Sequence, residues 1–365
     1  MKFKVEKSQI NPALAKITGI IESRNTMPIL ANIKIEALSD RLKITSTDMD
    51  ICATIEVPAV VEEQGQTTLP GIAFSDICKK AASDSVTVSA AGVKATITGG
   101  RSRFNLGTLD AEDYPSIQPV EDDAVSVDMK AAEVVHMLEK SQFCMSDDAA
   151  RHYLNGVYLH AYEGALRCVA TDGNSMGIVD GIECGEVHPV IIPRKTVLHA
   201  MKVFDGAETV KISTNGNKFQ VTTERMTLVS KVVDGTFPDY VRILPREFKG
   251  SFTVSAPLLL GAIDRISVAR DGRTNAMAVT VSDGKVTVSA RSGDGDAEDF
   301  VDAVYGGEPF SFGVNAKYMI DVLKAVGQAD CVVSFNGEKD AIMFRADGID
   351  SMNWLIMPMR INNGT

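Results

Sequence analysis

Phe3-Lys4-Val5 running into Asn11 to Ile21 recurs in kind as Val125-Ser126-Val127 running into Lys130 to Phe143, and again as Phe252-Thr253-Val254 running into Pro257 to Arg270. Each is a strand-like tripeptide feeding a segment of helical period. The three starts lie about 125 residues apart. After each opening the pattern predicts two alternating apolar strands, a second short helix and two more strands. Such a period is too long for a solenoid unit and suits a domain. The chain reads as one α+β domain written three times.

Internal landmarks keep the same order. Asn32-Ile33-Lys34-Ile35 is followed by Thr47-Asp48, and Asn155-Gly156-Val157-Tyr158-Leu159 by Thr171-Asp172, an offset of 124 between the aspartates. Leu69-Pro70 and Ile192-Pro193 each precede a second helix at an offset of 123, and Tyr114-Pro115 matches Phe237-Pro238 at the same offset. The third copy is looser: Asn275 to Val281 and Lys285 to Ala290 form its hairpin, and Phe312-Gly313-Val314 precedes its second helix. Boundaries are expected in Gln118 to Ala124 and Pro245 to Gly250, giving domains 1–121, 122–247 and 248–365.

Composition sets the class. With 45% apolar and 23% charged residues, 365 residues can bury the cores of two or three globular domains. Met1 to Ile10 lacks signal-peptide character and no apolar run approaches membrane-spanning length, so a cytoplasmic location is expected. Cys52, Cys78, Cys144, Cys168, Cys184 and Cys331 never form C-x-x-C and mostly sit in strand or helix patterns, which predicts reduced thiols in the core. Arg41 to Thr47, Ser85 to Ser89, Lys94 to Thr98, Lys211 to Thr214, Lys218 to Thr222 and Cys331 to Phe335 alternate as antiparallel strands. Asn215-Gly216, Asp283-Gly284 and Asn336-Gly337 supply hairpin turns. Ile10, Leu14 and Ile17, and likewise Val134, Leu138 and Met145, recur at helical spacing.

Charge is unevenly divided. The six helix segments together carry +8, which against the chain total of −11 leaves −19 elsewhere. A basic helical layer and an acidic sheet layer follow. Positive groups gathered on one surface can hold a polyanion despite a net-acidic chain.

Met1-Lys2-Phe3, Met27-Pro28-Ile29-Leu30-Ala31-Asn32, Gly100-Arg101-Ser102-Arg103-Phe104, Arg151-His152-Tyr153-Leu154-Asn155-Gly156-Val157, Ala170-Thr171-Asp172-Gly173, Ile192-Pro193-Arg194-Lys195, Asp234-Gly235-Thr236-Phe237-Pro238-Asp239-Tyr240 and Met357-Pro358-Met359-Arg360 stand in this order along the whole chain. Together they resemble the bacterial DNA polymerase III beta subunit family, the sliding clamps. The resemblance implies a head-to-tail homodimer of six similar domains, with helices lining a hole for duplex DNA and sheets forming the outer wall. It implies topological tethering without catalysis, with weak sequence-independent phosphate contacts that permit sliding. It further implies that the polymerase III alpha subunit, the clamp loader, other polymerases and repair proteins bind through short linear peptides, and that the chain works in the cytoplasm, at the nucleoid, without cofactor or metal.

Carried over position by position, the resemblance makes Arg24, Arg194 and Lys195 DNA-facing. It places a peptide pocket at Leu154, Thr171, Gly173, Met176, Pro238, Arg242, Ile243, Leu355, Met357, Pro358, Met359 and Arg360. Met and branched aliphatic side chains make an adaptable apolar slot, and arginine anchors polar peptide groups. The ring seam would bring Phe104 and Leu106 of one copy to Ile266 and Val268 of the other.

Some positions depart from the family pattern. Asp147-Asp148 and Ile72-Ala73 stand where relatives can carry polar or basic groups, Asn174 and Ser175 replace more basic pocket-edge residues, and Asn362 to Thr365 extend past the usual terminus. His136, His152, His160, His188 and His199 show no metal-ligand spacing, and no nucleophile elbow or phosphate-binding glycine loop is present. Asp294-Gly295-Asp296 with Glu298 and Asp299 lacks the full calcium-loop pattern and reads as a solvated hairpin tip. Two other classes stay open on the residues alone: a hydrolase using Asp48 and Asp172, and a β-rich multidomain interaction scaffold.

Overall fold

Among the described residues each of six α-helices begins at the residue after a strand ends, so every repeat supplies two strand-to-helix corners. The computed structural model describes residues 1–22, 26–121, 124–204, 206–269, 275–293 and 295–360. The helices are α1 (Lys7–Ile17), α2 (Gly71–Lys80), α3 (Ala131–Ser141), α4 (Arg194–Val203), α5 (Ala256–Ile266) and α6 (Ala316–Val326). The corners have local causes. Pro70 and Pro193 cap α2 and α4 with φ of −53° and −58°, Pro257 sits in the first turn of α5, and the Asn315 side chain accepts the Lys317 N–H of α6 at 2.9 Å.

The chain falls into two compact units. One comprises Met1–Val135 with Cys184–Val233, the other His136–Glu183 with Asp234–Thr365, so the middle repeat contributes to both. In the first unit an eight-stranded sheet runs in the order Val125–Lys130, Thr209–Thr214, Lys218–Thr222, Met226–Lys231, Ile51–Pro58, Arg41–Thr47, Asn32–Ala37, Gly65–Pro70. The last strand of the middle repeat therefore pairs with the fourth strand of the first, Ser230 opposite Ile51 and Met226 opposite Ile55. A second sheet of this unit ends at Ser102–Gly107.

The second unit repeats the same joint. Met352–Ile356, the last strand of the third repeat, pairs with Ser175–Glu183, the fourth strand of the middle repeat, with Ser175 opposite Ile356 and Val179 opposite Met352. Beyond it the sheet continues through Ile342–Ala346, Asp330–Phe335, Gly250–Ser255, Gly295–Val304, Lys285–Ser292, Ala276–Ser282 and Phe310–Asn315.

Helices pack on these sheets by their apolar faces. Ile10, Ala13, Leu14 and Ile17 of α1 are all buried, the i, i+3, i+4, i+7 stripe expected of a surface helix. Helix α1 runs from Lys7 to Ile17, ending four residues before the expected Ile21, and Pro12 inside it cannot donate a backbone hydrogen bond. Met145 also differs from expectation. Helix α3 stops at Ser141, and Met145 is buried from extended backbone rather than from the helix face. Five cysteines are buried and Cys184 is half-buried, all as free thiols.

Candidate functional site

The best-defined polar site in the first unit lies at the tight turn after Arg41–Thr47. Asp48 Oδ1 accepts the N–H groups of Asp50 at 2.9 Å and Ile51 at 2.7 Å, holding the turn closed. Lys195, in the first turn of α4, donates to the other oxygen of Asp48 and to Glu22 Oε1 at 2.7 Å. The Asp48 side chain is only 6% exposed. Burial pushes its carboxyl up, but Lys195 and the two amides outweigh burial and hold it below the usual carboxylate value. Conversely, burial would lower the Lys195 ammonium, and Asp48 and Glu22 raise it above its ordinary value.

The homologous turn in the second unit is built alike. Asp172 Oδ1 accepts from Asn174 N at 2.8 Å and Ser175 N at 2.7 Å, and Tyr318, in the first turn of α6, donates to Asp172 Oδ2 at 2.7 Å. Burial and Asp172 push the Tyr318 phenol up to about 12. Thr171 donates its hydroxyl to Ser175 O at 2.7 Å and accepts Gly173 N at 3.1 Å. Both aspartates are thus turn anchors, each tied to the next repeat's second helix.

Several of the residues expected for the pocket stand at or next to that turn. Leu154, Thr171, Met176 and Leu355 are buried, with Met176 directly opposite Leu355 in the strand pair. After Ile356 the chain lies against the turn, Met357 N donating to Asn174 O at 2.7 Å and Met359 N to Gly313 O at 2.9 Å. Met357 is 45% exposed, Pro358 and Met359 are half-buried, and Arg360 is exposed. Gly173 is exposed at φ +89°, and a Cβ there would stand 2.9 Å from Arg151 Nη1. Arg151 in turn pairs with Asp148 at 3.0 Å, and Asp148 caps its own 3-10 turn by accepting Ala150 N at 2.9 Å. Those bonds hold the Asp148 carboxyl below its ordinary value, so this acidic loop serves local structure.

The segment carrying Pro238, Arg242 and Ile243 is fastened from beneath by aromatic rings. Phe237 stacks on Tyr158 with centroids 4.8 Å apart, and Tyr158 stacks on His160 at 4.5 Å. The Tyr240 hydroxyl lies 3.0 Å from His160 Nε2 and 3.3 Å from Arg167 Nη1. Arg167 is itself held by both oxygens of Asp180. Pro238 and Ile243 are left exposed, Ile243 at 61%, while Arg242 pairs with Asp239 at 2.6 Å. None of these ring anchors was among the candidate residues read from sequence. Tyr318 was missed for the same reason: its role depends on a neighbour 146 positions away.

The other expected sites are less gathered. Arg24 and Asn362 to Thr365 lie outside the described residues, as does Asp294 of the acidic hairpin tip. Arg194 is half-buried. Lys195 spends its charge on Asp48 and Glu22, which makes it a joint residue first. Phe104 is 36% exposed on the edge strand Ser102–Gly107 and Leu106 is half-buried there. Val268 is 92% exposed, whereas Ile266 is 3% exposed and packs inside its own domain. Among the described residues no group of three or more His, Cys, Asp or Glu side chains could hold a metal ion. No described helix is long and apolar enough to cross a membrane.

Known proteins match this arrangement along its entire length. Models of the N-terminal, central and C-terminal domains of the DNA polymerase III beta subunit match residues 1–118, 128–239 and 241–360. The beta sliding clamp of Caulobacter vibrioides is 32% identical over 99% of this chain and 100% of its own, and that of Escherichia coli K12 is 29% identical over the same shares. Among solved structures, the Caulobacter crescentus sliding clamp superposes with a TM-score of 0.91 at 31% identity, covering 99% of this chain and 100% of its own. The Bartonella birtlesii sliding clamp bound to griselimycin gives 0.94 at 29% identity, again covering 99% and 100%. The chain, with its three tandem clamp domains, belongs to the beta sliding clamps, the processivity subunit of bacterial DNA polymerase III.

Proposed function

We propose that the chain performs the family's task in DNA replication as a closed pair of copies, joined head to tail by the same strand joint that it uses twice internally. In both internal joints the last strand of one repeat pairs with the fourth strand of the repeat before it. One of each keeps a side that is wholly or largely open. Ser102–Gly107, the last strand of the first repeat, ends its sheet. Gly295–Val304, the fourth strand of the third repeat, pairs along its length with Lys285–Ser292 but on its other side only at Ala303 and Val304. Those two edges are the complementary halves of one more joint. This is the observation that carries the reading, because a heterologous contact of this kind closes into a ring when its rotation permits. Phe104, Leu106 and Val268 supply apolar surface at this seam, and Ile266 supports it from within.

In this reading duplex DNA passes through the ring, held by topology and by few, weak phosphate contacts in which Arg24 and Arg194 take part. Lys195 contributes mainly to the joint. A polymerase whose peptide is lodged over Leu154, Met176, Leu355 and the exposed Ile243 and Met357 rebinds its primer end at high effective concentration. The polymerase III alpha subunit, the clamp loader and repair proteins would share that groove in the cytoplasm. That two relatives were crystallised with griselimycin supports a ligand-accepting surface in this family.

Retention on circular DNA tests the reading. The protein loaded on a nicked circle should stay bound through gel filtration in high salt and be lost after the circle is cut once. Equal retention before and after cutting would refute tethering.

A further inference from the structure

A lysine contact is repeated between consecutive domains. Lys16, the tenth residue of α1, donates to the carbonyl of Val203, the tenth residue of α4, at 3.2 Å. Lys140, the tenth residue of α3, donates to the carbonyl of Ala325, the tenth residue of α6, at 2.5 Å. In each case a cation at the end of one repeat's first helix caps the carboxyl end of the next repeat's second helix. The last four carbonyls of a helix lack intrahelical partners and carry the negative end of its dipole, so a cation is well placed there. Each contact accompanies one strand joint and runs in the same sense along the chain.

The tenth residue of α5 is Arg265, and the tenth residue of α2 is Lys80. We infer that Arg265 is the third member of this series and that its acceptor is the Lys80 carbonyl of a second copy of this chain, across the ring seam. The inference rests on the head-to-tail reading above. Arg265 is prepared for the role: its side chain is 63% exposed, and its Nε donates to Asp299 Oδ2 at 2.6 Å on the unpaired edge strand. Guanidinium has five donors, so the terminal Nη groups remain to reach a carbonyl while Nε is held by Asp299. Lysine, with a single ammonium, suffices where the joint is within one chain. The basic neighbour at the acceptor end is no obstacle. Lys79 precedes Lys80 as Lys202 precedes Val203 and Lys324 precedes Ala325, and the two internal contacts form beside those charges.

The dimer dissociation constant measured by sedimentation tests this. A charge-assisted hydrogen bond at an exposed seam corresponds to roughly tenfold, and a closed pair has two seams, so Arg265→Met should weaken the dimer roughly a hundredfold. Arg265→Lys should recover a large part of that loss, and Lys16→Met should leave the constant unchanged because its contact lies within one chain. A second measurement reads proximity: in a Cys184→Ser background, Arg265→Cys with Lys80→Cys should give covalent dimers with a short bis-maleimide. A wild-type chain that sediments as a monomer at micromolar concentration would reject the ring reading itself. A dimeric wild type with Arg265→Met within twofold of it, or with no crosslinked dimer, would overturn this inference and leave the ring intact.

Discussion

Lys195→Met distinguishes a joint residue from a DNA-facing one. In the structure its ammonium neutralises Asp48, a carboxylate with 6% of its side chain exposed. Removing one partner of a fully buried pair costs several kcal/mol, because the other charge is left uncompensated. Here the cost is smaller, since Lys195 is about one-third exposed and Asp48 keeps the amides of Asp50 and Ile51. About 2 kcal/mol is a reasonable figure after discounting for solvent. For a chain of this size that corresponds to roughly 3 °C in the thermal midpoint. Adding Asp48→Asn should recover much of the loss, giving a coupling of about 1–2 kcal/mol in the double-mutant cycle.

The pH dependence gives an independent sign. Wild-type Asp48 has a folded pKa below its unfolded value, so its contribution is present above that unfolded value, about 3.9, and is lost as the pH falls through the folded one. Lys195 has a folded pKa above its unfolded value, so its contribution is present below about 10.4 and is lost as the pH rises through the folded one. Without Lys195, burial acts on Asp48 with less opposition and raises its folded pKa. The deficit of Lys195→Met should then shrink as the pH is lowered towards 4, where the carboxyl takes up a proton. DNA retention should keep its wild-type salt dependence. An unchanged thermal midpoint at pH 7, with a log–log salt slope smaller by about 0.9 per lost phosphate contact, would refute the reasoning.

Other substitutions probe the groove and the seam. Met357→Ala and Ile243→Asp should each weaken a clamp-binding polymerase peptide about tenfold by calorimetry, through lost apolar contact at a partly exposed rim; unchanged affinity in both would misplace the groove. Gly173→Ala should lower stability by about 1–2 kcal/mol, since it combines φ +89° with a Cβ 2.9 Å from Arg151, and a thermal midpoint equal to wild type would contradict it. Val268→Asp should convert dimer to monomer by setting a charge into apolar surface at the seam, and an unchanged sedimentation profile would remove Val268 from the interface.

The threefold plan was legible in sequence because it rests on local signals repeated at a fixed offset. Strand alternation, prolines before helices and the Thr-Asp turns are written within a few residues, and the strands found at Arg41–Thr47 and Lys218–Thr222 follow that reading. The pocket positions could be carried over from the resemblance, but what fixes them could not. Tyr318, Phe237 and Tyr240 act through partners that only the folded sheet brings near, and nothing in their own sequence neighbourhood announces it. Lys195 shows the converse: the resemblance made it DNA-facing, and its pairing with a carboxylate 147 positions away could be seen only in the fold.

The two unpaired edges also differ in sign. Arg101 and Arg103 accompany one, whereas Asp296, Glu298 and Asp302 line the other. Bare strand edges are templates for unwanted pairing, and natural proteins guard them with charge. Here the guard is directional: basic against basic or acidic against acidic is repelled, while opposite edges attract. A newly made chain therefore has a built-in sense of head and tail before any apolar contact forms. That sense should fade with salt, since at 1 M the screening length is only about 3 Å. Under those conditions mispaired like edges would compete with the ring, and the protein should be most faithful in its assembly at low ionic strength.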